Sequence, residues 1–420
     1  MNFKTYTKII RTKKNIQDNS YTLLNNTLDI KLTINESSYD LITNATNSNG
    51  KISPFYYFIP NCRSFFKELT NLGVLVDNGI ANPLYINCVQ DSSILPLTSL
   101  NIELTHSCNL KCIHCYGSFG TVQKPTFISF NQVKDLLPDL LSLGTMNISL
   151  TGGECLLNPD FEKIALFFLQ NGFNLWILSN GYYTDKLIEF TKKTTQFKYT
   201  IKISLDGLYE EHTKIRGVTD SFEKTIETLD HLYKQENISL YISSTLMKSN
   251  FEQFHKLNDF VKNRFPNAIH SLNLIFPDGN AIKTSQCFSQ NELSLIEKKF
   301  PNLFVVKESE KSKYRCSGGI TQCTLTPDGN LKICNAACDN RFMFASNVFE
   351  TSLKYAWIHC GDNINFYRNE LDKSSEKCFY CKYKQTCYAN NCRIMAYLYT
   401  GSEFNNSPLA CITAKHMEGC

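Results

Sequence analysis

The residues most capable of chemistry in this chain of 420 are its 18 cysteines. Three of them, Cys108, Cys112 and Cys115, fall together in "LTHSCNLKCIHCYG". Three thiolates on one short loop can hold three corners of a cubane 4Fe-4S cluster, and the fourth iron is then open to a ligand from outside the protein. A zinc ion is the other reading, with His106 or His114 as its fourth ligand. Twelve further cysteines lie between Cys287 and Cys420. Among them Cys316, Cys323, Cys334, Cys378, Cys381, Cys387, Cys392 and Cys411 form a ligand-like series. A zinc ribbon is the competing reading for Cys378 and Cys381. The remaining Cys62, Cys88, Cys287, Cys360 and Cys420 read as ordinary thiols.

Composition narrows the setting. The formal charge of +4 is small and spread along the chain, which argues against nucleic acid as a partner. No run approaches ~18 apolar residues, so no membrane span is expected. The basic start, Met1 to Asn15, has no apolar run after it and does not read as a secretory signal. The expected location is the cytoplasm, where dense cysteines read as metal ligands rather than disulfides. With 42% hydrophobic and 20% charged residues, the chain reads as a globular protein of two or three domains.

The elements that must position the cysteines fall into three regions. Residues 93–305 alternate strands and helices. "LNIELT", "MNISLT", "NLWILS", "YTIKISL", "SLYISSTL" and "SLNLIF" read as strands. "NQVKDLLPDLLSLG", "DFEKIALFFLQNG", "TDKLIEFTKK", "SFEKTIETLDHLYKQ" and "NFEQFHKLNDFVKN" read as the helices between them. This predicts an α/β fold with a parallel sheet and right-handed crossovers, open as a partial barrel, with its site at the C-terminal strand ends. Residues 1–92 hold a strand at "TLDIKLTI" and an amphipathic helix in "NCRSFFKELTNLGVLVD", with Phe65, Phe66, Leu69 and Leu72 on one face and Gly73 as its stop. Residues 306–420 are Cys-rich with short elements. They are expected to lack a large core and to depend on bound metal.

The C-x3-C-x2-C spacing directly after a first strand resembles the signature of the radical S-adenosylmethionine (radical SAM) superfamily. The aromatic residue common before the third cysteine is here His114. The resemblance implies a partial (β/α)6 radical SAM barrel. It implies S-adenosylmethionine on the open iron of a 4Fe-4S cluster, and an electron from that cluster that releases a 5′-deoxyadenosyl radical. Further residues gain roles by the same resemblance. In "LTGGECLL", Gly152 and Gly153 let the backbone approach the cofactor, and Glu154 helps to hold its amino group. Many relatives have proline next; Cys155 here reads as a turn residue. Ser179 and Asn180 of "LSNGYY" join the pocket, and Ser204 and Asp206 of "ISLDGLYEEHTKIRG" meet the ribose hydroxyls. Arg216 suits a carboxylate contact, while His212 reads equally as a helix cap. Pro277 and Gly279 make a turn on the adenine side.

The cysteines of "CSGGITQCTLTPDGNLKIC" and "CFYCKYKQTCYANNC" resemble the SPASM domain, which holds two auxiliary 4Fe-4S clusters. Carried over, Cys316, Cys323, Cys334 and Cys392 bind one and Cys378, Cys381, Cys387 and Cys411 the other. Cys387 and Cys392 are separated by four residues where relatives usually have three, so Cys338 is an alternative to Cys392.

The SPASM likeness implies a peptide substrate. Residues 1–92 resemble the winged-helix peptide-recognition element of peptide-maturation enzymes, in which a leader adds a strand to a sheet edge. A structural cap or a DNA-binding winged helix are the other readings of this region. The implied function is an oxidoreductase of ribosomal-peptide (bacteriocin-type) maturation. It would act on a leader-bearing precursor, form a thioether, and be fed electrons by a flavodoxin- or ferredoxin-type donor. One alternative is a sulfatase maturase making formylglycine, but the aspartate such enzymes carry after the third cysteine of the first auxiliary set is here Asn335, and an amide cannot act as a base. The other is a non-catalytic iron–sulfur or zinc regulator.

Overall fold

The computed structural model describes residues 2–3, 11–14, 21–25, 30–45, 54–71, 75–76, 85–87, 94–122, 124–300, 316–369, 380, 392–405, 407–408 and 411. Cys88, Cys378, Cys381, Cys387 and Cys420 lie outside these, so most of the second auxiliary set does too.

Near the start, β1 (Asn2–Phe3) pairs antiparallel with β5 (Leu75–Val76). β2 (Arg11–Lys14), β3 (Tyr21–Asn25), β4 (Ile30–Ile34) and β6 (Tyr85–Asn87) form a sheet in the order β4-β3-β2-β6. Two helices, α1 (Glu36–Ala45) and α2 (Pro60–Asn71), lie between β4 and β5 in the chain. On α2, Phe66 and Leu69 are buried, as the 3.6-residue period of its apolar side chains requires.

The main sheet contains all six expected strands: β7 (Ser99–Glu103), β8 (Asn147–Thr151), β9 (Asn174–Ser179), β10 (Tyr199–Ser204), β11 (Ile238–Leu246) and β12 (Ile269–Leu274). Each pairs in parallel with the next in chain order. Alternation sorts their two faces. Leu100, Ile102, Ile148, Leu150, Leu175, Ile177, Ile201 and Ile203 are buried against the surrounding helices. The opposite phase is polar, with Asn101, Ser204, Ser243 and Asn273. Of the covering helices, α3 (Phe130–Asp135) buries Val133, α4 (Leu137–Ser142) buries Leu140, α5 (Phe161–Gln170) buries Ile164, Phe168 and Leu169, and α6 (Thr184–Lys193) buries Leu187 and Phe190. α8 (Ser221–Leu232) buries Leu229 and Leu232, and α9 (Phe254–Arg264) buries Leu257 and Val261.

One expectation needs correcting. Residues 316–369 do not form a core-poor segment. β13 (Gln322–Leu325) pairs in parallel with β7, in the register Gln322↔Ser99 to Leu325↔Ile102, and β14 (Leu331–Lys332) pairs antiparallel with β13. The sheet therefore has eight strands, in the order β12-β11-β10-β9-β8-β7-β13-β14. Ile320, Leu325, Leu331, Ile333, Phe342, Phe344, Trp357 and Ile364 belong to the same buried cluster as the barrel strands. Trp357 Nε1 donates to Leu95 O at 2.7 Å, and Lys354 N donates to Asp139 Oδ2 at 2.8 Å. "QCTL" is too short, and its cysteine too suggestive of a ligand, for its strand character to stand out in the sequence. The ladder gives an expected result: after iron is removed by chelation, the amides of Gln322–Leu325 stay protected in hydrogen exchange. Prompt exchange there would restore metal as the organiser of this segment.

Candidate active site

The C-terminal ends of the strands surround a cavity of about 350 Å3, lined by Cys108, Cys112, His114, Cys115, Gly152, Gly153, Ser179, Asn180, Ser204 and Arg216 among others. The loop after β7 brings all three clustered cysteines to its wall. That loop is pinned by backbone. Gly153 N donates to Thr105 O and Glu154 N to Ser107 O, at 2.8 and 2.9 Å. Lys111 N and Ile113 N donate to Arg216 O and Ile215 O, both at 3.0 Å. Asn280 N donates to Cys115 O at 2.9 Å, and its side-chain amide to Cys112 O at 3.1 Å.

Glycine is required where these strands of chain cross. A Cβ on Gly153 would overlap the Ser107 carbonyl, and one on Gly279, at φ 56°, the carbonyls of Cys115 and Tyr116. The turn at Gly279 thus braces the cysteine loop, and the neighbouring Phe276 lines the cavity. Gly153→Ala pushes backbone against backbone and is expected to cost about 1–3 kcal/mol. A lower melting temperature and a fall in iron bound after reconstitution would show it; an unchanged iron content would mean that the loop does not need this approach.

The sulfur environment suits a cluster. Burial pushes Cys108 up to about 12 and also raises Cys112, so both need a strong electrophile to be deprotonated. Donors stand ready to stabilise thiolates: Arg216 Nη1 lies 3.6 Å from Cys112 Sγ, and Asn180 Nδ2 lies 3.8 Å from Cys108 Sγ. Among the described residues, no three His, Cys, Asp or Glu side chains converge on the position of a single ion. A cubane takes each thiolate on a different iron. Three thiolates on one loop, each able to take a different iron, fit three corners of a 4Fe-4S cluster.

Two of the predicted cofactor contacts are engaged by partners within the protein. Glu154 is buried next to the cavity-lining Gly153. Its carboxylate accepts from Ser179 Oγ at 3.0 Å, Asn180 N at 2.8 Å and Leu156 N at 3.2 Å. It is a buried clamp between the ends of β8 and β9, and burial raises its pKa against those hydrogen bonds. Asp206 is likewise buried and engaged within the protein. It lies 2.6 Å from Arg216 Nη2 and 3.3 Å from His114 Nε2, and accepts from Thr245 N at 2.8 Å. Burial would raise Asp206, but Arg216, His114 and His212 outweigh it and hold the carboxyl below its ordinary value.

Arg216 closes α7 (Tyr209–Arg216), where it joins Asp206 to Cys112 and lines the cavity. His212 settles as structural: its Nδ1 accepts from Asp206 N at 3.2 Å. Burial, and then Arg216, lower it to about 3, so it stays neutral. Burial likewise lowers His114 to about 4, and its Nδ1 has no partner. Cys155 is buried, with its thiol donating to Leu178 O at 3.3 Å.

Of the first auxiliary set, burial and then the nearby Cys316 and Cys392 push the Cys334 thiol up, and burial and then Cys316 push up that of Cys392. Cys323 is not brought into that group. The register of β13 turns it to the apolar face beside Leu100, where the acting charge is Arg368. Thr324 takes the inward phase instead, donating to Asn335 Oδ1 at 2.8 Å. Cys338 is exposed beside the Tyr116 carbonyl. Asn335 lines the cavity, so the loop after Cys334 does reach the active site. The sequence reading missed Lys332, buried and 2.9 Å from Glu103 Oε1, and Lys202 on the inward phase of β10; the alternation of "YTIKISL" was the available signal for the latter. Among the described residues no helix is long and apolar enough to cross a membrane.

Residues 102–261 match the model of the Radical SAM superfamily. The chain is 25% identical over 341 residues to the AdoMet-dependent heme synthase of Methanosarcina barkeri (strain Fusaro / DSM 804), covering 73% of this chain and 94% of that protein. It is 24% identical over 301 residues to the antilisterial bacteriocin subtilosin biosynthesis protein AlbA of Bacillus subtilis (strain 168), covering 69% of this chain and 66% of that one. The structure of Streptococcus suis SuiB bound to S-adenosylmethionine superposes with a TM-score of 0.61 at 16% identity, over 98% of this chain and 100% of that chain. SuiB bound to its precursor peptide SuiA superposes equally, with a TM-score of 0.61 at 17% identity. With a parallel sheet, a cysteine loop after its first strand and a family match across both, the chain carries a radical SAM domain at residues 102–261 and is an enzyme of that superfamily.

Proposed function

We propose that this enzyme matures a ribosomally made precursor peptide, joining a cysteine sulfur of that peptide to carbon as a thioether. The observation that carries the reading is the likeness to SuiB over 98% of the chain, which extends to both sides of the radical SAM domain, together with the sequence similarity to AlbA. A 4Fe-4S cluster on Cys108, Cys112 and Cys115 would supply the electron that splits S-adenosylmethionine and yields a 5′-deoxyadenosyl radical. The chain's own residues do the rest. Gly152 and Gly153 line the cavity and would let the backbone come close to the cofactor. Asn180 and Arg216 would steady the sulfurs of Cys108 and Cys112, and the wall from β10 to β12 would help to keep water from the reacting carbon.

The leader of the precursor would bind at the sheet of β2, β3, β4 and β6. β4 is one of its two edges among the described residues, and an extended segment could add to it by main-chain hydrogen bonds. Binding energy gained there serves to place the core peptide in the cavity. Cys316, Cys334 and Cys392 would hold one auxiliary cluster. Cys378, Cys381, Cys387 and Cys411 would hold a second, and a flavodoxin- or ferredoxin-type protein would supply electrons.

A second reading is formylglycine formation. It is weakened by Asn335, which occupies the cavity wall as an amide that already accepts a hydrogen bond from Thr324. The test is the mass of a candidate precursor after anaerobic incubation with cluster-loaded enzyme, reductant and S-adenosylmethionine. Loss of two hydrogens per site with consumption of free thiol is expected: one hydrogen atom goes to 5′-deoxyadenosine, the thiol proton goes to solvent, and the remaining electron would pass to an iron–sulfur cluster, returning the one spent in splitting S-adenosylmethionine. 5′-Deoxyadenosine formed without any change in peptide mass would turn the reading towards another substrate class.

A further inference from the structure

The cavity has two unlike sides. The cysteine loop, Gly152, Gly153 and Asn180 stand at the strand ends of β7 to β9. Across from them, Lys202, Ser204, Ser243, Thr245 and Asn273 rise from β10 to β12. On this second side the polar groups are neutral apart from Lys202. Asn273 Nδ2 donates to Ser243 Oγ at 3.0 Å and to Ser271 O at 3.2 Å. Lys202 Nζ reaches Ser271 Oγ at 3.4 Å.

The other cation on the cavity wall is satisfied, since Arg216 stands on Asp206 at 2.6 Å. Lys332, behind the wall, stands on Glu103 at 2.9 Å. Lys202 has no carboxylate partner among the described residues, and burial alone displaces its pKa, downwards. A largely buried ammonium without a counter-charge is destabilising, and an arriving anion removes the penalty. The position of Lys202 is enforced: its neighbours Ile201 and Ile203 are fully buried on the opposite face, so the alternation of β10 leaves the side chain no direction but inward.

Depth selects the source of the anion. Lys202 precedes Ser204, the last residue of β10, by two positions, which is roughly 6–7 Å further down the strand. The loops that fit the cofactor all follow the strand ends. A carboxylate could come from the methionine part of S-adenosylmethionine or from the substrate, and the deeper position favours the substrate. We infer that Lys202 is a specificity-determining residue that receives a carboxylate of the substrate, a side-chain or terminal carboxyl group close to the reacting carbon. The inference rests on the cavity being the reaction chamber of the proposed peptide maturase; it does not depend on which bond is made.

The test needs no precursor. Lysines of the cluster-loaded enzyme are reductively methylated with 13C-formaldehyde, and the Lys202 resonance is identified by its loss in Lys202→Arg. Should that variant fail to fold, Lys202→Gln serves the same purpose. Propionate is the probe and propionamide its neutral match. In enzyme saturated with S-adenosylmethionine, propionate is expected to raise the titration midpoint of Lys202 by at least about half a pH unit, with propionamide inert. S-adenosylmethionine alone is expected to leave the resonance where decarboxylated S-adenosylmethionine leaves it. A difference between those two cofactors would assign the carboxylate to the cofactor and overturn the inference. So would a resonance indifferent to propionate. Calorimetric binding of S-adenosylmethionine to the same sample shows whether the cavity is the cofactor site at all. Failure of the peptide reading is thereby kept apart from failure of the lysine's role.

Discussion

In Cys112→Ala enzyme, release of 5′-deoxyadenosine falls by more than about a hundredfold, beyond the usual effect of removing a residue that merely supports a metal ligand. The prediction follows from placement. Cys112 is buried at the cavity wall, and Arg216 bonds its sulfur while also bonding Asp206. No neighbouring thiol can move into its place without breaking the backbone bonds from Asn280 and Arg216 that hold this loop. Cys155→Ala is the control. It removes a buried thiol from the adjacent turn at a cost of about 1–3 kcal/mol, yet should leave the iron and the cleavage reaction in place. Iron content and 5′-deoxyadenosine measured on both variants decide the matter. Equal losses in the two would show that a folding defect, not a missing ligand, is being read.

Asp206→Asn should destabilise the fold by about 3–5 kcal/mol, because it leaves the buried Arg216 guanidinium without its counter-charge. The same change alters the acid limb of stability. Asp206 has a folded pKa below its ordinary value of 3.8, so its contribution is complete above about 4 and is lost as pH falls through the folded value. His212 adds a second acid sensitivity. Its pKa drops from 6.5 to about 3 on folding, so the stability that it contributes as a neutral ring is full above 6.5 and drains away as the pH is lowered towards 3. Denaturant melts from pH 8 to about pH 2 should therefore show wild-type stability falling from about pH 6.5 downwards. In Asp206→Asn the whole curve is displaced downwards and the final decline below pH 4 is flatter. A variant as stable as wild type at pH 7 would mean that Arg216 finds another anion.

Much of the barrel was legible because its strands carry two signals at once. Ile201 and Ile203 alternate with Lys202 and Ser204, and the run ends at a turn. The cysteine loop was legible because its chemistry depends on spacing within one segment. What could not be read is what depends on register between segments. Nothing local to Glu154 reveals that Ser179 and the amide of Asn180 will saturate its carboxylate, and nothing local to Asp206 reveals Arg216 and His114 folded over it. Cys323 illustrates the same limit: a shift of one residue in the pairing of β13 with β7 would exchange its place with that of Thr324. The helix α7 escaped notice for a different reason. Its residues are mostly polar, and its buried members, His212, Ile215 and Arg216, show too little apolar periodicity to mark it out.

The pairing of β13 with β7 also sets an order of events in time. Thr98 and Thr321, joined by a hydrogen bond at 3.1 Å, are 223 positions apart in the chain. At a synthesis rate of about 5–20 residues per second, the edge of β7 waits roughly 10–45 s on the ribosome for its neighbour. Through that interval the strand leading into the cysteine loop is an open template with unpaired N–H and C=O groups, the condition in which edge strands pair wrongly. Parallel partners so distant are also slow to find each other. Nascent enzyme therefore has its sheet unfinished beside β7 for tens of seconds, an interval in which a chaperone could cover the open edge.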